Sequence, residues 1–137
     1  MKVLADTSAL IALALAGERN HRSARNFVRN NPGARFVLTE LVLAETATVL
    51  RARVDARRAA AIARSYLSSR RYEVVFIDAE LLEGALERME KLADRRLSLV
   101  DCASFENIDR LGLDGAFTFD RDFRDCGYVS MPAVPGL

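Results

Sequence analysis

Four acidic residues lie at positions where the sequence predicts buried or strand-terminal side chains. Asp6 and Asp120 directly follow the apolar stretches KVLA and AFTF. Glu45 and Asp101 lie in helical patterns, and apolar residues share their predicted helix faces: Leu41, Val42, Val49 and Ala52 around Glu45, and Leu97, Phe105 and Ile108 around Asp101. Burying a lone carboxylate costs several kcal/mol unless a cation or hydrogen bonds compensate. The sequence therefore predicts a compensating group near these carboxylates.

A shared divalent cation is the compensation that this residue set favours. Carboxylates brought together repel one another and raise one another's pKa unless a cation neutralises them. The available ligands are all oxygen, which suits Mg²⁺ or Mn²⁺, and these ions retain bound water that a hydrolase can use. Asp122 is a secondary candidate ligand, because the stretch DRDFRD could equally form a solvated turn, and Asp125 is left out.

A simpler interpretation exists for each carboxylate taken alone. Asp6 and Asp101 could be helix N-caps, and Asp120 could cap a final turn. Glu45 could pair with one of the many arginines. The joint pattern of four favours the metal site over four separate structural roles.

Other catalytic constellations are missing from the sequence. The single histidine, His21, lies beside Arg22 in a polar setting and is predicted to be exposed, which excludes paired-histidine chemistry and histidine-rich zinc sites. No G-x-S-x-G, Walker or G-x-G-x-x-G motif is present. Thr7 or Ser8 is predicted to cap the first helix or to hydrogen-bond a metal-bound water.

The elements that must position these carboxylates alternate between strand and helix. Strands are predicted at KVLA, RFVLT, EVVFID and GAFTFD, with GYVS as a last edge strand. Helices are predicted after Asp6 and over 21–30, 40–53 (capped by Thr39), 56–70 and 79–93, with another that Gly112 ends. The alternation predicts one α/β domain over residues 1–137 with a mainly parallel sheet, whose carboxyl-terminal edge collects ligands.

The opening stretch MKVLADTSALIALALAG has two interpretations. A basic start, an apolar run and small residues at its end imitate a secretory signal peptide. Asp6 precedes the apolar run, however, and the positive charge is Lys2 alone. We therefore expect a buried strand, a turn and a first core helix.

Overall composition points to no particular partner. Lys+Arg 20 against Asp+Glu 19 gives a formal net charge of +1, so a charged partner must meet a local patch. Cys102 and Cys126 have no metal-ligand spacing and are expected to be reduced thiols of a cytoplasmic protein. Apart from the opening run, no apolar stretch approaches the ~18 residues of a membrane span.

Four stretches resemble, in order and spacing, the acidic motifs of PIN-domain ribonucleases, most closely the VapC-like toxins of toxin–antitoxin pairs: VLADTSALIALAL, LTELVLAETATVLR, LSLVDCASF and AFTFDRDF. The resemblance implies a three-layer α/β/α fold and a catalytic, metal-binding cluster of Asp6, Glu45, Asp101 and Asp120, with Asp122 at a more variable acidic position. It also implies hydroxyls near the metal at Thr7 and Thr118.

The resemblance further implies an Mg²⁺- or Mn²⁺-dependent endoribonuclease that acts on single-stranded or looped RNA. It implies a homodimer and a small VapB-like antitoxin as partners. Two arginine groups are candidates for contact with RNA or antitoxin: Arg22, Arg25 and Arg29, and Arg51, Arg53, Arg57 and Arg58.

Two alternatives stay open at this point. One is another Mg²⁺-dependent phosphohydrolase, acting on DNA flaps or a small phosphoester; a dehalogenase-like phosphatase would need a second aspartate where this chain has Ser8. The other is a non-catalytic PIN-like binding module, which an asparagine at one of the four acidic positions would have favoured.

Overall fold

The structure of the chain, a computed structural model, describes residues 1–133. Within them the strands are β1 (Lys2–Ala5), β2 (Arg35–Thr39), β3 (Tyr72–Val75), β4 (Ala116–Phe117) and β5 (Ser130–Met131). The helices are α1 (Thr7–Ala14), α2 (His21–Asn30), α3 (Glu40–Arg53), α4 (Ala56–Ser68), α5 (Ala79–Lys91), α6 (Leu99–Leu111) and α7 (Arg121–Asp125). The opening stretch thus forms a strand and a helix, as expected.

One sheet in the order β3-β2-β1-β4-β5 joins the five strands, and every pairing in it is parallel. β1 is central, and its Ala5 lies opposite Phe117 of β4. Because parallel strands end at the same edge of a sheet, the loops after β1 and β4 are neighbours. The predicted α/β fold is confirmed, and the sheet is entirely rather than mainly parallel.

The side chains of β1 alternate between two hydrophobic clusters, one on each face of the sheet. Val3 and Ala5 belong to the cluster formed with α1 and α2, whereas Leu4 belongs to the cluster formed with α5 and α6. All three residues have no exposed surface. Helices therefore cover both faces, which gives the α/β/α layering that the family resemblance implied.

The prediction for EVVFID is wrong at its carboxyl end, because β3 stops at Val75. Phe76 is 70% exposed, and the backbone N–H of Ile77 donates to both carboxylate oxygens of Glu40 at 3.1 and 3.0 Å. Asp78 then caps α5 by accepting from the Leu81 N–H. These contacts turn the chain out of the sheet after four strand residues.

Helix ends follow the local signals closely. The Thr39 hydroxyl accepts from the Val42 N–H and starts α3, and Gly112 ends α6 with a φ of 59°, a conformation that favours glycine. The predicted ends at residues 70 and 93 are late, since α4 stops at Ser68 and α5 at Lys91. In the range 1–133, no helix is long and apolar enough to cross a membrane.

An ion-pair network holds α5 against α6. The Arg88 guanidinium donates to Glu106 at 2.9 Å and to Asp109 at 2.7 Å, and both of these acceptors lie on α6. It also donates to the Tyr128 hydroxyl, which in turn donates to Asp109. The helix that carries Asp101 is therefore fixed to α5 and to the segment after α7.

Candidate active site

Asp6 is the most buried of the candidate carboxylates, with 4% of its surface exposed. It directly follows β1, where its N–H donates to the Phe117 carbonyl at 3.0 Å. Although Asp6 occupies the N-cap position of α1, its side chain makes no capping hydrogen bond. Its Oδ2 atom instead accepts from the hydroxyls of Ser8 at 2.7 Å and Thr118 at 2.9 Å. The proposal that Asp6 is a simple helix cap is therefore wrong.

The same two hydroxyls connect the loop after β1 to the loop after β4. Ser8 Oγ accepts from the Phe119 N–H at 2.9 Å, and Thr118 Oγ1 accepts from the Asp120 N–H at 3.0 Å. Each hydroxyl thus donates to the Asp6 carboxylate and accepts from the β4 loop. Thr7 does not share this role, because its buried hydroxyl has no hydrogen-bond partner among residues 1–133.

With Asp6 as the metal ligand that the family resemblance implies, we expect Thr118→Val to reduce RNA cleavage about tenfold to a hundredfold, because the Thr118 hydroxyl orients that carboxylate. Valine keeps the size of threonine but neither donates to Asp6 nor accepts from Asp120. Initial cleavage rates under saturating divalent metal will measure the loss. Thr48→Val is the matched control, since the Thr48 hydroxyl only donates to the Ala44 carbonyl on an exposed helix face. Equal rates for wild type and Thr118→Val would contradict the positioning role.

Asp101, Asp120 and Asp122 converge in front of this loop pair. One carboxylate oxygen from each lies within 4.8 Å of the others, and all three side chains are half-buried. Asp120 caps α7, with its Oδ1 atom accepting from the Asp122 N–H at 2.9 Å. Asp122, a secondary candidate from the sequence, thus belongs to the tightest acidic group in the range 1–133.

A capping box holds Asp101 at the start of α6. The Ser98 hydroxyl accepts from the Asp101 N–H at 3.0 Å, while Asp101 Oδ2 accepts from the Ser98 N–H at 3.2 Å. Ser98, not Asp101, is therefore the N-cap. The sequence SLVD contains this signal as a serine followed three residues later by an acidic residue, although Asp101 itself was predicted as the possible N-cap.

Glu45 lies close to the group without joining it. The apolar neighbours of Glu45 predicted a position near the middle of the apolar stripe of α3. The buried residues of α3 are Val42, Thr46 and Leu50, so Glu45 lies beside that stripe. Its side chain is half-buried and, within residues 1–133, forms no ion pair with an arginine. Its charge nonetheless contributes to the raised pKa of Asp101.

The electrostatics link these carboxylates. Burial raises the pKa of Asp6 from 3.8 to about 6; the Ser8 and Thr118 hydroxyls oppose the rise, and the charges of Asp101 and Asp120 add to it. Burial also raises the pKa of Asp101, with Asp120 and Glu45 contributing. The pKa of Asp122 is raised by burial and by Asp120, with Arg95 opposing. Within residues 1–133, Asp6, Asp101, Asp120 and Asp122 form no ion pair, so the cluster is an accumulation of negative charge that Arg95 offsets only in part.

The donor set fits a hard divalent cation such as Mg²⁺ or Mn²⁺. Asp6, Asp101 and Asp120 each commit one oxygen to a hydrogen bond within the protein. Among residues 1–133, no thiol or imidazole belongs to this group: it consists of Asp101, Asp120 and Asp122, while Cys102 is fully buried in the core and His21 Nδ1 is hydrogen-bonded to the Ala12 carbonyl at 2.8 Å. His21 is half-buried, so its predicted exposure is wrong.

Residues 3–127 of the chain match the family model described as PIN domain. The chain belongs to the PIN-domain family. A PIN-domain relative, the 23S rRNA-specific endonuclease VapC20 of Mycobacterium tuberculosis (strains CDC 1551 / Oshkosh and ATCC 25618 / H37Rv), is 33% identical over 129 residues, which cover 94% of this chain and 97% of the relative.

Solved structures agree with the PIN-domain assignment. The crystal structure of Mycobacterium tuberculosis VapC20, described as a sarcin-ricin loop cleaving toxin, matches with a TM-score of 0.86 at 32% identity, over 93% of this chain and 96% of that one. VapBC2 from Rickettsia felis, bound to a promoter DNA fragment, shares the fold with a TM-score of 0.68 at 15% identity, over 93% and 94% of the two chains. The predicted class, an endoribonuclease of the VapC toxin type, is confirmed by the VapC20 matches.

Proposed function

We propose that this PIN-domain toxin is a divalent-metal-dependent endoribonuclease whose active site consists of Asp6, Glu45, Asp101, Asp120 and Asp122. The observation that carries the proposal is the convergence of Asp101, Asp120 and Asp122 within 4.8 Å at the carboxyl-terminal edge of the sheet, next to buried Asp6. Mg²⁺, or alternatively Mn²⁺, is the proposed cofactor, because the ligands are all carboxylate oxygens.

Each carboxylate has a distinct task in this proposal. Asp101, Asp120 and Asp122 would hold the cation, and Asp6 would add the oxygen that Ser8 and Thr118 leave free. When bound, the cation supplies Lewis-acid activation of water and neutralises charge that develops on the phosphate. Glu45, whose charge acts on Asp101, would complete the cluster at its edge, either directly or through a water molecule. The Ser8 and Thr118 hydroxyls hold Asp6 in one orientation while the reaction proceeds.

The proposed substrate is a looped segment of 23S ribosomal RNA. The VapC20 relatives carry that specificity in their names, and this chain matches them over almost its full length. An RNA loop also suits the site chemically, since its exposed backbone can enter a cleft that a stiff duplex cannot. We further propose that the protein acts in the cytoplasm as a homodimer and is neutralised by a small antitoxin.

Cleavage of a sarcin-ricin-loop RNA by the purified protein tests this function. We expect one predominant cut that requires Mg²⁺ or Mn²⁺, disappears in EDTA and is absent from a scrambled RNA of the same length. Cleavage of a DNA flap or a small phosphoester instead would favour another phosphohydrolase. Metal binding without cleavage of the loop or of total cellular RNA would favour a non-catalytic module.

Metal binding will be visible without any substrate. We expect Mg²⁺ or Mn²⁺ to raise the melting temperature of the wild-type protein, because a ligand that binds only the folded state stabilises it by about 2.7 kcal/mol at a hundred times its Kd. The Asp120→Asn variant should respond much less. Differential scanning fluorimetry across a metal titration measures both, and equal shifts in the two proteins would place the metal elsewhere.

A further inference from the structure

A cavity lined by arginines opens directly beside the acidic cluster. It measures about 230 Å³, and its lining includes Asp120 together with Arg19, Arg121 and Arg124. Ser130 also lines it, and the buried Ser130 hydroxyl has no hydrogen-bond partner within residues 1–133. Cations thus adjoin the carboxylates on the side that faces the loop between α1 and α2.

Two further cavities continue this surface along α2. Arg19 also lines a cavity of about 490 Å³, which it shares with Arg22. Arg22 in turn lines a cavity of about 400 Å³ with Arg25 and Arg29. The shared lining residues make the three cavities one continuous path, which we call the arginine track: Arg19, Arg22, Arg25, Arg29, Arg121 and Arg124.

Most charges of the arginine track are available to a partner. In the described part of the chain, only Arg121 of the six forms an ion pair, an exposed one with Asp125 at 3.3 Å. The second arginine group singled out from the sequence differs, because Arg53 pairs with Glu18 and Arg58 with Asp55. Two of the four arginines in the second group are thus already paired, whereas Arg22, Arg25 and Arg29 of the first group form no ion pair among residues 1–133.

We infer that the arginine track binds the phosphate backbone of single-stranded RNA on one side of the scissile bond. This inference rests on the proposed ribonuclease function and extends it to the path of the substrate. An RNA strand that is cleaved at the acidic cluster must continue beyond it. The surface next to the cluster carries arginines that line three adjoining cavities. An acidic cluster repels a polyanion, so neighbouring arginines must compensate that repulsion.

Fluorescence anisotropy with a 5′-labelled, 12-nucleotide single-stranded RNA of mixed sequence tests the arginine track. EDTA keeps the RNA intact, so the measurement does not require activity. We expect the triple variant Arg19→Ala/Arg22→Ala/Arg25→Ala to bind at least tenfold more weakly than wild type. Its plot of log K against log salt should be shallower by about 2, since each phosphate contact to a single strand contributes about 0.7.

The triple variant Arg35→Ala/Arg64→Ala/Arg70→Ala is the matched control. It removes the same charge from exposed positions, and Arg35 and Arg70 line a cavity of about 730 Å³ that contains none of the candidate carboxylates. We expect its RNA affinity and salt slope to stay within twofold of wild type. The three track positions are exposed as well, and circular dichroism will check that both variants fold.

The inference would be overturned by equal weakening in both triple variants, by no weakening in the track variant, or by a wild-type Kd above about 100 μM, the weak limit of non-specific nucleic-acid binding. Loss of binding to an acidic peptide with RNA binding unchanged would assign the track to a protein partner and also overturn it. If the track variant loses RNA binding but the wild-type protein cleaves no RNA, the proposed ribonuclease function fails and the RNA-binding role of the arginine track stands. If the track variant cleaves RNA with the wild-type kcat/KM, the proposed ribonuclease function stands and the RNA-binding role of the arginine track is rejected.

Discussion

Replacing Asp101 by asparagine will reduce the rate of RNA cleavage about 10²- to 10³-fold, a loss typical of removing one essential charge interaction from an active site. Asparagine keeps a carbonyl oxygen that can accept from the Ser98 N–H, so the capping box at the start of α6 survives. The variant removes the negative charge from the group formed with Asp120 and Asp122 and leaves the local fold in place.

Single-turnover cleavage of the sarcin-ricin-loop RNA will measure this loss. Asp94→Asn is the control, because Asp94 is an exposed carboxylate in the loop between α5 and α6, outside the acidic group. We expect it to cleave at the wild-type rate. An Asp101→Asn protein as active as the Asp94→Asn protein would show that Asp101 does not serve the reaction.

Replacing Asp6 by asparagine will abolish cleavage and yet stabilise the metal-free protein at neutral pH. The Asp6 carboxylate is buried next to the charges of Asp101 and Asp120, which raises its pKa from 3.8 to about 6. That difference of roughly two pKa units corresponds to about 3 kcal/mol, or about 10 °C in melting temperature for a chain of this size. The asparagine amide oxygen can accept from the same Ser8 and Thr118 hydroxyls.

The stability that Asp6→Asn gains over the wild type must depend on pH, and it should be larger at neutral than at acid pH. Below about pH 3, Asp6 is protonated in both the folded and the unfolded chain, so its charge does not destabilise the wild type. Between about pH 4 and 6 the carboxylate ionises in the unfolded chain while burial keeps it protonated in the folded one, so the stability of the wild type falls as pH rises and the loss is complete above the folded pKa of about 6. Urea unfolding in EDTA between pH 3 and 8 should show the free energies of unfolding of the two proteins converging at the acid end, separating between about pH 4 and 6, and differing by a constant amount at higher pH.

A pH-independent difference in stability between Asp6→Asn and wild type would contradict the assignment of a charged, buried Asp6. Asp114→Asn is the control for a general effect of removing an acidic residue, since exposed Asp114 only accepts from the backbone N–H of Lys2. Saturating Mg²⁺ should reduce or reverse the advantage of the variant, because the metal stabilises the wild-type carboxylate cluster.

Strand-terminal positions could be predicted from the sequence because they follow from topology alone. Asp6 and Asp120 each follow an apolar strand, and parallel pairing brings such positions to one edge. The position of Asp122 was harder to predict, because α7 has only five residues and such a short helix shows no helical periodicity in the sequence. The carboxylate of Asp122 joins the cluster through the turn that Asp120 caps.

Helix rotation and side-chain partners could not be predicted in this way. The pattern around Glu45 indicated that α3 has an apolar face, but it did not locate the centre of that face. The buried residues Val42, Thr46 and Leu50 mark the centre. The choice of Ser8 over Thr7 depends on which hydroxyl reaches Asp6, and neighbouring residues of similar type do not reveal that. His21 was placed on the surface because of its polar neighbours, although it is hydrogen-bonded to α1 across the intervening loop.

The link between Asp6 and Thr118 joins residues that are 112 positions apart. A chain still being synthesised holds the first carboxylate from the beginning, but it lacks the hydroxyl that orients Asp6 and the neighbouring Asp120 until β4 and α7 have been made. Partly translated chains therefore have no complete cleavage site. With the site assigned as proposed, cleavage activity arises only after β4 and α7 have been synthesised and have folded against β1.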